Sequence, residues 1–209
     1  MTLIPSLLAF TAAASLLTIT PGVDTALVLR TAAAEGPRRA GLAAIGIGLG
    51  CLIWGAGVAL GLGALLTASR IAFTALKWAG AAYLFYLGAK LLLAPRAHMA
   101  VDLGGSSPAA TRDPFRRGLL TNLLNPKVGA FYVSFLPGFV PPGAPVAPFI
   151  FLLASIHVVL SLGWFAALIA SVAPLGRWLA HSSVMKTLDR IAGCVFIAFG
   201  ARLALAKAA

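Results

Sequence analysis

Gly118-Leu119-Leu120-Thr121-Asn122-Leu123-Leu124-Asn125-Pro126-Lys127 opens a block that runs to Val140, and Lys127 is the only formal charge within it. A block of that length and polarity crosses a bilayer as a helix. It nevertheless carries near its middle a proline, which removes a backbone hydrogen bond and clashes with the preceding turn. In hydrocarbon the freed backbone groups must be satisfied by protein or by a wet cavity. The block therefore reads as a broken span, with Asn125 as the N-cap and Pro126 as the first residue of a new half-helix. Thr20-Pro21-Gly22-Val23-Asp24 repeats this pattern inside a second block, Thr2 to Leu29, whose only charge is Asp24. Thr20 and Pro21 are expected to take the same cap and first-turn positions there.

Four more apolar blocks surround these two. Ala40 to Ser69 and Val146 to Ala173 hold no formal charge, Ile71 to Leu93 holds Lys77 and Lys90, and Ile191 to Ala206 holds Arg202. The sixth is short because Lys186, Asp189 and Arg190 precede it, so five spans is the alternative to six. Over the 209 residues, 60% are hydrophobic and 10% charged, against about 45–50% and about 25% in soluble domains. A soluble globular protein is excluded. The first block starts within three residues of Met1 without a basic region and runs past Ala12-Ala13-Ala14, so it reads as a retained span, not a cleaved signal.

The halves of the chain resemble each other. Gly88-Ala89-Lys90-Leu91-Leu92-Leu93 and Gly200-Ala201-Arg202-Leu203-Ala204-Leu205 lie 112 positions apart, and Pro21 and Phe10 are matched 105 positions later by Pro126 and Phe115. Three spans is an odd number, so similar halves must insert in opposite senses. The expectation is an all-α membrane protein of six transmembrane helices in two inverted three-helix repeats, 1–93 and 114–209, with discontinuous first and fourth helices. Residues 94–113, containing Gly104-Gly105-Ser106-Ser107-Pro108, form a polar linker.

The net charge of +11 would suggest nucleic acid in a soluble protein. Here the bases sit between apolar blocks, facing lipid headgroups, so the bilayer is the expected partner and nucleic acid is not. After spans one, three and five lie Arg30, Arg38, Arg39, Lys90, Arg96, Arg112, Arg116, Arg117, Arg177, Lys186 and Arg190; the other side holds Arg70, Lys77, Arg202 and Lys207. The positive-inside rule then puts both termini outside the cytoplasm.

An ionisable group deep in a bilayer costs at least about 2.5–3.5 kcal/mol. Asp24 complements the dipole of the half-helix it opens, whereas Lys127 opposes its own and lies about 21 Å of helix from Asp113. Lys127 therefore needs an anionic partner, either Asp24 or a ligand carboxylate. One carboxylate, one ammonium and two half-helix N-termini suit a small zwitterion: an amino acid, with its ammonium at Asp24 and its carboxylate at Lys127. Thr20, Pro21, Gly22, Asn125 and Pro126 at the breaks and Tyr132, in the second half-helix, join them as expected substrate contacts. Asp24 and His157 are the candidate proton carriers, with Ser155 and Ser161 flanking His157 as its expected partners.

Other features point away from chemistry. Cys51 and Cys194 sit singly in apolar blocks as packing residues, without CxxC spacing, and no metal-ligand cluster, GxSxG or HExxH occurs. No metal, cofactor or enzyme activity is expected. The glycines of span two, including the pairs Gly46/Gly50 and Gly57/Gly61, serve close helix packing or a dimer face, not phosphate binding.

Taken together, Thr20-Pro21-Gly22-Val23-Asp24, Gly80-Ala81-Ala82-Tyr83-Leu84 with Gly88-Ala89-Lys90, and Gly118 to Lys127 continuing to Pro137-Gly138-Phe139-Val140 resemble the lysine exporter / homoserine-threonine resistance (LysE/RhtB) family. Val23 stands where a second proline is usual and Gly138 where glutamine is common. The resemblance implies a six-helix bacterial inner-membrane carrier that exports amino acids or close derivatives, driven by the proton-motive force, and a homodimer. It adds Asn122, the first asparagine of the motif, to the expected substrate contacts. The alternatives are a cation or heavy-metal exporter of the same superfamily and a membrane thiol-redox relay, which would need Cys51 and Cys194 to meet.

Overall fold

The computed structural model describes residues 2–68, 70–95, 113–171 and 181–205, which form eight α-helices and one 3-10 turn, with no strand among them. Most of the expected linker, 94–113, lies outside the described residues. The first block is divided into α1 (Leu3–Ile19) and α2 (Val23–Glu35), bent by 52°. The ring of Pro21 forces the residue before it out of the helical region, and Thr20 is extended, with ψ 112. Its hydroxyl turns back to donate to the Leu16 carbonyl at 2.7 Å.

One expectation is corrected here. Thr20 closes α1 and does not cap α2, and Pro21 lies in the gap instead of at the first helical position. The cause is Gly22, which has little helical preference, stays extended and becomes the N-cap, so the helix restarts at Val23. In the other half the sequence after the proline is Lys127, a good helix former, and α6 (Pro126–Phe135) starts at Pro126 itself. Before it, α5 (Pro114–Leu123) is capped by Asp113, whose carboxylate accepts the Phe115 amide at 3.0 Å. A 3-10 turn, Leu136–Phe139, extends α6.

The remaining helices are α3 (Pro37–Ala68), α4 (Arg70–Leu93), α7 (Val146–Ala170) and α8 (Ser182–Leu205). Gly36, at φ 90, makes the left-handed turn that reverses the chain between α2 and α3. Among the described residues, Pro37–Gly61 and Val146–Ala170 are each long and apolar enough to cross a membrane, and the bent α1–α2 pair makes a third if its two helices form one span.

Helix α3 packs along both α5 and α7, α4 pairs with α8, and α1 lies against α7. Contact with α5 depends on missing side chains: a Cβ on Gly46 would collide with the Phe115 carbonyl, and one on Gly118 with the Ala43 carbonyl. Gly46 and Gly50 thus serve packing within the chain, while Gly57 and Gly61 have no described neighbour within 4 Å. At one end of the molecule, Phe10, Phe131, Phe135, Phe139 and Phe199 join α1, α6, the 3-10 turn and α8, with Phe131 stacked on Phe135 at 4.7 Å. Ser6 donates to the Phe139 carbonyl at the same end. At the other end, Arg117 of α5 bridges Glu35 of α2 at 2.6 Å, and Glu35 also pairs with Arg39 of α3 at 2.8 Å.

Candidate functional site

The two interruptions meet. Asp24 stands in the first turn of α2 and Lys127 in the first turn of α6, and both line a single partly enclosed cavity of about 50 Å³. Thr20, Gly22 and Asn125 line it from the breaks, Ile47 and Cys51 from α3, and His157, Ser161 and Phe165 from α7.

Each charge is engaged by the opposite half of the chain. The Asp24 carboxylate accepts from Asn122 Nδ2 at 2.8 Å through one oxygen and from Asn125 Nδ2 at 3.3 Å through the other. Lys127 Nζ crosses the other way and donates to the Thr20 carbonyl at 3.2 Å, at the break between α1 and α2. Gly22 lies beside the lysine stem, where a Cβ would sit 3.7 Å from Nζ. Asn125 has two tasks: its amide nitrogen reaches Asp24, while its side-chain oxygen accepts the Lys127 backbone amide at 3.1 Å and caps α6. Lys127 also acts on the Asp24 carboxylate as a nearby charge. The positive ends of two half-helices, a carboxylate and an ammonium therefore border one small space.

Asn122 is fully buried on α5 and its Nδ2 also reaches Cys51 Sγ at 3.4 Å, while its Oδ1 has no hydrogen-bond partner among the described residues. Cys51, expected only to pack, is thus part of the cavity wall. No pattern around it signals this, because the position depends on α3 lying against α5, some seventy residues away in the chain. Cys194 is exposed on α8 and Cys51 is buried on α3, and both are free thiols.

Tyr132 is wholly buried and stands behind His157, its hydroxyl 2.9 Å from Nδ1; it does not line the cavity. The expected partners of His157 are corrected by this contact: Ser155 donates instead to the Phe151 carbonyl at 2.9 Å, and Ser161 lines the cavity. Ser161, like Cys51, is a wall residue that sequence reasoning did not place there. Pro21 is buried in the first gap, and Pro126 enters as the backbone start of α6.

A family model described as LysE type translocator matches residues 15–207. The chain is similar, at 32% identity over 95% of its length and 96% of the relative's, to a homoserine/homoserine lactone efflux protein of Salmonella typhi. It is 31% identical to a membrane protein of Bacillus subtilis over 96% of this chain and 99% of that one. A membrane protein of Pseudomonas aeruginosa is 35% identical over 89% of this chain and 88% of its own. No solved structure matches the chain.

Proposed function

The chain belongs to the LysE type translocator family, and from that premise we propose that it exports amino acids or close derivatives across a bacterial inner membrane by alternating access. The observation that carries the reading is the reciprocal capture at the breaks. Asp24 is held by Asn122 and Asn125, and Lys127 by the Thr20 carbonyl. A zwitterion entering the cavity exchanges these internal contacts for its own: its ammonium replaces the asparagine amides at Asp24, and its carboxylate replaces the carbonyl at Lys127. Buried charges then remain compensated with and without substrate. Thr20, Gly22 and the N-terminal turns of α2 and α6 orient it, and Asn122, Asn125 and Tyr132 hold the residues that touch it.

Six spans in two inverted repeats, 1–93 and 114–209 joined by 94–113, fit the packing. The shift of 112 positions carries Gly88 onto Gly200 and Ala81 onto Gly193. In α4 and α8 a Cβ on Gly88 would lie 2.8 Å from the Gly193 carbonyl, and one on Gly200 lies 3.2 Å from the Ala81 carbonyl, so the shift exchanges one contact for the other. Ser6 with Phe139 at one end and Glu35 with Arg117 at the other suit spans that alternate in direction. On this topology the ion-pair end is cytoplasmic and both termini are outside. Protons returning through Asp24, with His157 beside it, supply the drive.

The test is efflux from cells loaded with dipeptides, with and without the protein, followed by uptake into inside-out vesicles under an imposed proton gradient. Expression should lower the intracellular level of at least one amino acid, and Asp24→Asn and Lys127→Met should each cut vesicle uptake by more than tenfold. Unchanged amino-acid levels across all twenty, or full uptake by both variants, overturns the reading.

A further inference from the structure

Behind the cavity wall, buried polar groups are joined in a chain that crosses five helices. Asn122 Nδ2 of α5 carries two hydrogens; it donates to the Asp24 carboxylate of α2 at 2.8 Å and to Cys51 Sγ of α3 at 3.4 Å. The Cys51 thiol is in turn hydrogen-bonded to the Tyr132 hydroxyl of α6. That hydroxyl lies 2.9 Å from His157 Nδ1 on α7. Asn122, Cys51, Tyr132 and His157 are all buried. We propose that Asn122 and Cys51 are positioning residues which, through Tyr132, fix the His157 imidazole with its hydrogen on Nε2, facing the cavity. His157 then serves transport as a hydrogen-bond donor, and Asp24 alone carries the proton. The proposal rests on the transport reading above.

The direction of the chain follows from its first member. A carboxylate only accepts, so Asp24 turns the amide nitrogen of Asn122 toward itself. Oδ1 is left on the far side, against Gly50, without a hydrogen-bond partner among the described residues. The amide nitrogen donates and does not accept, so Cys51 Sγ must accept from it. The thiol hydrogen then has the Tyr132 oxygen as its acceptor, and the phenol hydrogen has His157 Nδ1. Every link uses one hydrogen. With the opposite polarity Nδ1 would donate to the phenol and the phenol to the sulfur, which would receive two hydrogens while its own found no acceptor in the chain.

A hydrogen bond accepted at one nitrogen of a neutral imidazole leaves the proton on the other. His157 lines the cavity and Tyr132 does not, so Nε2–H is the side of the ring that faces the cavity. The one lone pair of the ring is engaged by the phenol. The other titratable groups of the lining are Asp24, Cys51 and Lys127; the thiol is bonded within the chain and an ammonium already holds its full complement of hydrogens. A proton arriving in the cavity therefore meets the Asp24 carboxylate as its acceptor.

The experiment is nitrogen-15 magnetic resonance of the full-length protein in lipid vesicles, labelled at its three histidines. The His157 signals are those lost in His157→Gln, and their shifts separate the Nε2–H and Nδ1–H tautomers. The wild type should show Nε2–H in at least tenfold excess. Asn122→Leu frees the sulfur to accept from the phenol and should lower that ratio about three- to tenfold, the value of one hydrogen bond. Cys51→Ala leaves Nδ1 as the phenol's acceptor, so alone it should keep the ratio high, and added to Asn122→Leu it should restore the wild-type ratio. In proton-driven uptake by inside-out vesicles, His157→Leu should lower the rate at least tenfold, and His157→Gln, which returns an N–H donor but cannot carry a proton, should recover most of it. An Nδ1–H or doubly protonated ring in the wild type, an unchanged ratio in Asn122→Leu, or a double variant that stays at the lower ratio overturns the chain. His157→Gln as inactive as His157→Leu overturns the donor role. The wild-type spectrum decides the tautomer even where a variant fails to fold. No uptake by the wild type would overturn the transport reading and the place of His157 in it, while the nitrogen ratios still judge the chain.

Discussion

At the scale of single residues, Gly50 decides whether Asn122 can do its work. The asparagine side chain occupies the space where a Cβ on residue 50 would sit: that atom would lie 2.5 Å from Oδ1 and 3.0 Å from the asparagine's own Cβ. Gly50→Ala should therefore push Asn122 off the Asp24 carboxylate. Overpacking of this kind costs about 1–3 kcal/mol. Thermal unfolding in detergent should drop, and transport should fall with it. Gly57→Ala on the same helix is the matched control, because a Cβ there meets nothing within 4 Å among the described residues, and alanine is the better helix former. Equal melting of the two variants would contradict the packing of α3 on α5.

Residue-level roles were only partly legible in the sequence. Asp24 and Lys127 were visible because a lone charge in an apolar block is expensive and needs a reason. Asn125 was visible because asparagine before proline is cap chemistry. Cys51 and Ser161 were not, since a small residue in an apolar helix looks the same whether it faces lipid, a neighbour or a cavity. The start of α2 at Val23 instead of Pro21 does not follow from cap chemistry alone, because the glycine after the proline stays extended and takes the cap itself.

At the scale of elements, α2 and α5 are tied together at two levels, and both ties link the first half of the chain to the second. Asp24 meets Asn122 near the breaks, and Glu35 meets Arg117 three helical turns further along α2. Asp24, Thr31 and Glu35 share one stripe of α2, at spacings of seven and four, and Arg117 also donates to the Thr31 hydroxyl at 3.3 Å. At the aromatic end, where Ser6 meets Phe139, the matching positions are uncharged: 105 positions from Glu35 and Arg117 stand Val140 and Ala12. The two ends of the molecule are thus closed by different chemistry. Glu35 and Arg117 are about a quarter exposed, so screening limits their pair to about 0.5–1 kcal/mol. A double-mutant cycle of Glu35→Gln and Arg117→Met, read by melting in detergent at low salt, should return a coupling of that size that shrinks in high salt. Zero coupling at low salt would mean that the contact does not hold α2 to α5.

For the whole molecule, the broken first and fourth blocks were readable from two prolines, and the helical character from composition. How the helices pack was not readable, because α3 lies along α5 and α7 through glycines whose partners are far away in sequence. Periodicity gives a helix its face but not its neighbour. That packing brings the breaks to one cavity and gives each half the other's charge to hold. Charge matching between this cavity and a zwitterion is tested most directly by counterflow with charge-deleted ligands. A transported amino acid should be compared with its carboxamide, which lacks the carboxylate, and with its deaminated acid, which lacks the ammonium. The wild type should accept the amino acid and reject both analogues by at least tenfold; Lys127→Met should lose its discrimination against the carboxamide, and Asp24→Asn its discrimination against the deaminated acid. Equal discrimination by wild type and both variants would contradict the central claim.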